Sequence, residues 1–220
     1  MIPTLHGLHK TNNQYSYDSL KAIVARIQPD VIAVEIRPED IGSDTAYLKK
    51  NYPLEMWMMR YWFPAAAPGG FDWLGTELEG NSIPDRYWKE QSAIKALERS
   101  LDADSLYSSR LARCQTYVQE RLAILKDHSL QAILQSRDAA LTCAYYNCLD
   151  RQLQGSKYAE LTKFYTERNK RMSERMSTLL KLHPNKTMVV LTGDDHYPYL
   201  LEYLQKQKIV LISPYKKTSL

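Results

Sequence analysis

Three short apolar runs, each closing on an ionisable residue, constrain this chain more than any other feature. Ile2-Pro3-Thr4-Leu5-His6, Val31-Ile32-Ala33-Val34-Glu35 and Met188-Val189-Val190-Leu191-Thr192-Gly193-Asp194-Asp195-His196 have the length of buried strands, too short for helices. Between the first two, Tyr17, Leu20, Ile23, Val24 and Ile27 recur at helical spacing, and Pro29-Asp30 closes that helix. Strand, helix and strand in such close succession make a βαβ unit with parallel strands. At the other end, the Met188 strand, a helix over Pro198 to Gln207 and a strand at Ile209-Val210-Leu211-Ile212 predict a second unit. The expectation is an α/β fold, with a mostly parallel central sheet, helices on its faces and a large helical insertion in the middle of the chain.

At 220 residues the chain suits one domain, with the core over about 1–40 and 158–215 and a mainly helical insertion over about 40–157. Within the insertion, Met56, Trp57, Met58, Met59 and Trp62 fall at helical spacing and read as core or pocket lining in preference to a nucleic-acid stacking surface. Ala65 to Gly70 reads as a loop, Phe71 to Gly75 as a short strand, and Pro84 to about Leu182 as helical with a break around Gly155. The net charge of +4 is spread among 25 acidic residues, which speaks against a nucleic-acid partner. Cys114, Cys143 and Cys148 are odd in number and lack CxxC spacing, so three ordinary thiols are expected. No apolar run approaches a membrane span, and the chain starts directly in its first strand. A cytoplasmic protein is expected, the alternative being an exported one whose targeting segment is absent from this chain; the oligomeric state stays open.

In parallel α/β sheets ligands collect beyond the C-terminal strand ends, so His6, Glu35 and His196 are expected to share one edge. Two imidazoles and a carboxylate are a donor set for a divalent transition metal (Mn, Co or Zn) with positions open to water and substrate, and Asp194, Asp195, His9 and Glu39 are further candidates. Gly193 supplies the positive φ of a sharp turn. On the helix from Tyr158 to Leu182, Arg168 lies on the inward stripe of Leu161, Tyr165, Met172, Met176 and Leu179. A guanidinium there must snorkel or meet a carboxylate, and its fork suits Glu35, Asp194 or a developing oxyanion; a structural salt bridge is the competing reading. Asn169 lies beside it. His128 and His183 read as ordinary structural residues.

Leu191-Thr192-Gly193-Asp194-Asp195-His196, followed by Tyr199-Leu200-Leu201-Glu202-Tyr203-Leu204, resembles the second GxxH motif of the TraB/GumN and Tiki superfamily, which is related to the erythromycin esterases and the ChaN-like haem-binding proteins. Glu167-Arg168-Asn169 with Met172 looks like that superfamily's Arg-Asn helix, and Val34-Glu35 like its strand-end glutamate. At the first GxxH, His6 is in place but Pro3 stands where the family has glycine. Phe71 to Glu77 resembles a further acidic strand, with Glu77 or Glu79 as its carboxylate. The resemblance implies one α/β domain that is a metal-dependent peptidase in one branch, a lactone-cleaving esterase in another and a haem binder in a third.

The function expected is therefore metal-dependent hydrolysis of an amide (peptide) or ester bond in a small-molecule or peptide substrate. Glu35, His6, His196, Arg168 and Asp195 are the catalytic candidates, and His6, His196 and Glu35 the metal ligands. The alternatives are a haem or other planar-ligand binder, with His6, His9 or His196 as axial ligand and Asn169 beside the cofactor, or a degenerate relic motivated by Pro3.

Overall fold

The apolar runs at the two ends of the chain lie side by side as parallel strands. In the computed structural model, which describes residues 1–207 and 209–215, β1 (Ile2–Thr4), β2 (Val31–Val34), β3 (Ala67–Gly70) and β4 (Met188–Gly193) form an all-parallel sheet in the order β1-β4-β2-β3. The helix α1 (Tyr17–Ile27) joins β1 to β2, as its spacing predicts, and Ser16 caps its first turn by accepting the Ser19 N–H. Next come α2 (Thr45–Asn51) and α3 (Leu54–Trp62), which lead into β3. The helical stretch comprises α4 (Tyr87–Glu90), α5 (Ala93–Asp102), α6 (Ser105–Leu125), α7 (Leu130–Gln135), α8 (Asp138–Leu153) and α9 (Ala159–Leu182). It breaks at Gly155, whose φ is +75°. After β4 the chain forms α10 (Tyr197–Gln205).

Alternation along the strands sorts the core into two faces. Ile2, Ile32, Val34, Val189 and Leu191 pack with Leu20, Ile23 and Val24 of α1 and with Met56, Trp57 and Met59 of α3. Ala33 and Val190 pack on the opposite face with Met172 and Met176 of α9 and Leu200 and Leu204 of α10. Each of the Val, Ile, Leu and Met side chains contributes about 1.5–3 kcal/mol by leaving water, so both faces of the sheet must be covered. The α6 and α8 helices make a separate small core with Leu111, Cys114, Cys148, Leu153 and Tyr158.

Several expectations need correction. Ile209 to Ile212 forms no strand: Val210 is 87% exposed, and both flanks of β4, the place such a strand would take, are already filled by β1 and β2. The third strand is not Phe71 to Gly75 but Ala67–Gly70, within the supposed loop. Its glycines allow a close passage: a Cβ on Gly70 would lie 2.6 Å from the Ile36 carbonyl oxygen, and one on Gly69 3.1 Å from the Leu179 side chain. The cysteines are not three thiols, since Cys114 on α6 and Cys148 on α8 are joined by a disulfide and Cys143 is free. Their residue spacing hides the fact that two packed helices bring their Cα atoms to 5.6 Å.

Both edge strands carry a proline with its nitrogen turned outward. Thr4 O accepts from Asp194 N in β4's direction, so alternation turns Pro3 to the open side, where its carbonyl accepts from Tyr15 Oη at 2.7 Å. Ala67 N and Phe71 N donate inward to the chain around β2, which turns Pro68 outward. Pro3 therefore costs the sheet no ladder bond. Among the described residues no helix is long and apolar enough to cross a membrane.

Candidate functional site

Strand register decides which side chains meet. Thr4 pairs with Gly193, and Leu191 pairs with both Ile2 and Val34, so the residues just beyond β1, β2 and β4 converge at one sheet edge. A Cβ built on Gly193 would stand 2.7 Å from His6 Nε2 and 3.2 Å from Glu35 Oε2. The space that side chain would fill is where the two functional groups approach each other. Gly193 is therefore required for this close approach and not, as expected, for a positive φ, which it does not have.

Glu35 is buried at the centre of the site. Its Oε2 accepts the Gly193 N–H, and its Oε1 lies 3.6 Å from an Arg168 terminal nitrogen and 3.5 Å from His196 Nε2. Burial pushes its pKa up, against the opposing charges of Arg168 and His6. Each of its three neighbours is in turn held from another element. His6 Nδ1 bonds Glu55 Oε1 of α3 at 2.7 Å, His196 Nδ1 bonds Asn169 Oδ1 of α9 at 2.6 Å, and Arg168 Nε donates to Asp72 Oδ1, beyond β3, at 2.9 Å. A carboxylate or amide oxygen at Nδ1 makes that atom the donor and leaves Nε2 for the site: that of His196 faces Glu35, and that of His6 borders the space beside Gly193.

The two histidines differ in charge. Burial opposes protonation of His6, but the hydrogen bond to Glu55 and the charges of Glu35, Glu55 and Asp194 outweigh it and raise the pKa to about 9. His196, with Asn169 in place of a carboxylate, is held well below 6.5 by burial and by the positive charges of Arg168 and His6. At neutral pH His6 is an imidazolium and His196 a neutral imidazole. His6 also adopts the left-handed region at φ 48°, uncommon for a non-glycine residue and a conformation that clusters at functional positions.

A cleft of about 210 Å³ opens onto this edge, with His6, Glu35, Asp72 and Arg168 at its polar end and Leu74, Trp88 and Phe164 along its walls. His6 has 40% of its side chain exposed there, whereas His196 is buried behind Glu35 and does not line the cleft.

Other expected residues stand elsewhere. Both nitrogens of His9 are taken by backbone groups, Nε2 accepting from Leu5 N at 2.9 Å and Nδ1 donating to Tyr15 O at 2.6 Å, so it has no atom left for a cofactor. Asp195 is tied away from Glu35 by Arg121 of α6, at 2.5 Å. Arg121 also pairs with Asp194 and, at 3.1 Å, with Asp138. Burial and the charge of Asp195 push Asp194 up to about 7 despite that guanidinium. Glu39 pairs with Arg37 and Arg175, Glu77 accepts from Tyr87, and Glu79 accepts from the Trp73 indole. Sequence reasoning missed Glu55, Asp72, Arg121 and Asp138. Glu55 left one trace, as a lone carboxylate in the apolar run of α3.

The arrangement does not suit a divalent cation held by His6, Glu35 and His196 as they stand. Glu35 already accepts from the Gly193 N–H, and a permanently charged guanidinium lies 3.6 Å from its other oxygen, where it would repel the ion. Among the described residues no group of three or more His, Cys, Asp or Glu side chains is placed to hold a metal. What the residues offer is a buried carboxylate between two cations at the end of a cleft. No family model, no curated protein and no solved structure matches this chain.

Proposed function

We propose that the chain is a hydrolase of an amide or ester bond that works by acid–base and electrostatic catalysis at Glu35. The observation that carries this reading is the carboxylate at the cleft's end, its pKa raised by burial, with Arg168 and the His6 imidazolium on either side of it. Glu35 takes a proton from a water as the water's oxygen attacks the substrate carbonyl. Negative charge then develops on the carbonyl oxygen, and Arg168 and His6 are the donors placed to stabilise it. On collapse of the tetrahedral intermediate, the proton held by Glu35 passes to the departing amine or alkoxide. His196 touches no substrate in this scheme; neutral and fixed by Asn169, it turns an Nε2 lone pair toward Glu35 and can accept from that carboxyl once it holds the proton. No step requires a metal.

The cleft is below the roughly 300–1,000 Å³ of pockets that engulf drug-sized ligands, so it receives the scissile group and its immediate substituents. A tetrapyrrole is too large for it, which disfavours the haem reading.

The test is hydrolysis of a panel of aryl esters, lactones and peptide anilides by wild type and Glu35→Gln, each assayed with chelator and with added Mn, Co or Zn. Turnover that survives chelation and falls about 10²–10⁴-fold in Glu35→Gln is expected, the range for loss of a general base. Equal turnover in the variant would sink the assignment. Turnover that appears only with added metal would replace this route by a metal-assisted one.

A further inference from the structure

The far wall of the cleft is shared with a second, larger cavity. This cavity, of about 380 Å³, lies among α5, α6, α8 and α9. Tyr165 lines both spaces. Its hydroxyl donates to Glu98 Oε1 at 2.6 Å, and Lys95, which faces the cleft, donates to Glu98 Oε2 at 2.7 Å. One tyrosine and one ion pair are thus the partition between the cleft and the cavity.

The two spaces differ in charge. The cleft is mixed in sign, with His6, Arg168 and Lys95 set among Glu35, Asp72 and Glu77, whereas among the described residues no Lys, Arg or His lines the second cavity, whose charged groups are Glu98 and Asp102. Glu98 is engaged by the partition, and Asp102 has no ion-pair partner among the described residues. Three tyrosine rings stand together at this wall, with Tyr146 5.2 Å from Tyr145 and 5.8 Å from Tyr165 between centroids. Tyr145 and Tyr146 are half-buried, and their hydroxyls make no hydrogen bond to the protein among the described residues, which leaves them free to meet water or a ligand. Leu111, Leu149 and Leu153 supply an apolar floor, and the Cys114–Cys148 disulfide ties the two helices that carry it.

Tyrosine faces attract cations, an unpaired carboxylate attracts them further, and an apolar floor accepts a hydrocarbon body. We infer that the second cavity binds an organic ammonium group carried on an apolar body.

The test is direct binding, by ligand-observed NMR and calorimetry, of 2-phenylethylamine, its neutral counterpart 2-phenylethanol and the anion 3-phenylpropanoate. The amine is expected to bind at least about tenfold more tightly than the alcohol, a difference of about 1.4 kcal/mol, with the anion not binding. Two variants check the location: Asp102→Asn removes the exposed carboxylate, and Ser108→Phe plugs the lining from an exposed helix position. Each should weaken the amine about tenfold or more while the circular dichroism spectrum stays unchanged. Equal binding of all three probes, no amine binding at millimolar concentration, or amine binding indifferent to both variants would overturn the proposal. Because the assay reads no turnover, failure of the hydrolase reading, seen as Glu35→Gln turning over like wild type, is a separate result that leaves the ammonium site standing.

Discussion

Two clusters of buried charge flank the turn from β4 into α10, and they are built on opposite plans. At Arg121 one guanidinium faces Asp138, Asp194 and Asp195, so its donors are consumed by side chains within the cluster. At Glu35 the polar groups come in layers: Glu55, Asp72 and Asn169 each hold one of His6, Arg168 and His196 from behind and leave an atom of it unspent at the site. His6 and Arg168 then face a cleft, which Arg121 does not. On the function proposed above, the difference separates a fastening from a working site. Buried charge spent wholly on neighbours anchors the helical insertion to the β4 turn, while charge held in place with an atom to spare can act on something that enters.

The largest effect that would test this contrast is on stability. Arg121→Met leaves Asp138 and Asp194 buried without a counter-charge and is expected to lower unfolding free energy by about 3–5 kcal/mol, measured by urea denaturation. If Arg121 were instead part of the chemistry, turnover per folded molecule would collapse while stability held. Gly193→Ala should do the reverse. Its methyl must displace His6, so turnover should fall about 10²-fold or more against an overpacking cost of about 1–3 kcal/mol; a fully active alanine variant would show that the close approach at Gly193 is dispensable. Glu55→Gln removes the carboxylate behind His6 and should lower activity about 10–100-fold while bringing the His6 pKa down from about 9, read by histidine NMR titration. An unmoved His6 titration would mean that Glu55 does not set its charge.

The smallest effect is the pH dependence of stability. The His6 pKa is raised in the folded state, so its contribution is complete below the ordinary value of 6.5 and is lost as pH rises through about 9. The His196 pKa is depressed, so its contribution is present above 6.5 and is lost as pH falls below it. The histidines alone would place a stability maximum near pH 6.5, with a shallow alkaline side because His6 is partly exposed, while Asp194, raised to about 7, flattens the acidic side because its contribution is lost as pH rises toward that value. Glu55→Gln should remove the fall between about pH 7 and 9, measured as denaturation midpoints across pH.

Much of the sheet and of the site's inner residues was legible because strand ends in a parallel sheet are forced together. Apolar runs located β1, β2 and β4, and the residue after each run located His6, Glu35 and the turn to His196. Arg168 was legible because a guanidinium on an apolar helical stripe must find an anion, and it found Asp72 and Glu35. β3 was not, because Ala67-Pro68-Gly69-Gly70 carries turn residues that here serve close backbone passage instead. Ile209 to Ile212 misled for the opposite reason: a β-branched apolar run needs a vacant neighbour to pair with, and vacancy is a property of the whole sheet. Glu55 and Arg121 escaped because their partners lie 49 and 74 residues away, at distances only the fold collapses. The disulfide escaped likewise, its cysteines separated by 34 residues.

The outward-facing prolines at the sheet's margins have a further consequence for how copies of this chain can meet. A strand from another molecule adding to β3 would find a missing amide donor at the exposed Pro68, while at β1 the way is already closed, since Pro3 is buried and its carbonyl is taken by Tyr15. Growth of the sheet into a continuous intermolecular ribbon is thus hindered at one margin by an exposed proline and at the other by a covering side chain. The proline that breaks the expected first motif costs the β1 margin nothing, and the histidine three residues on keeps its place.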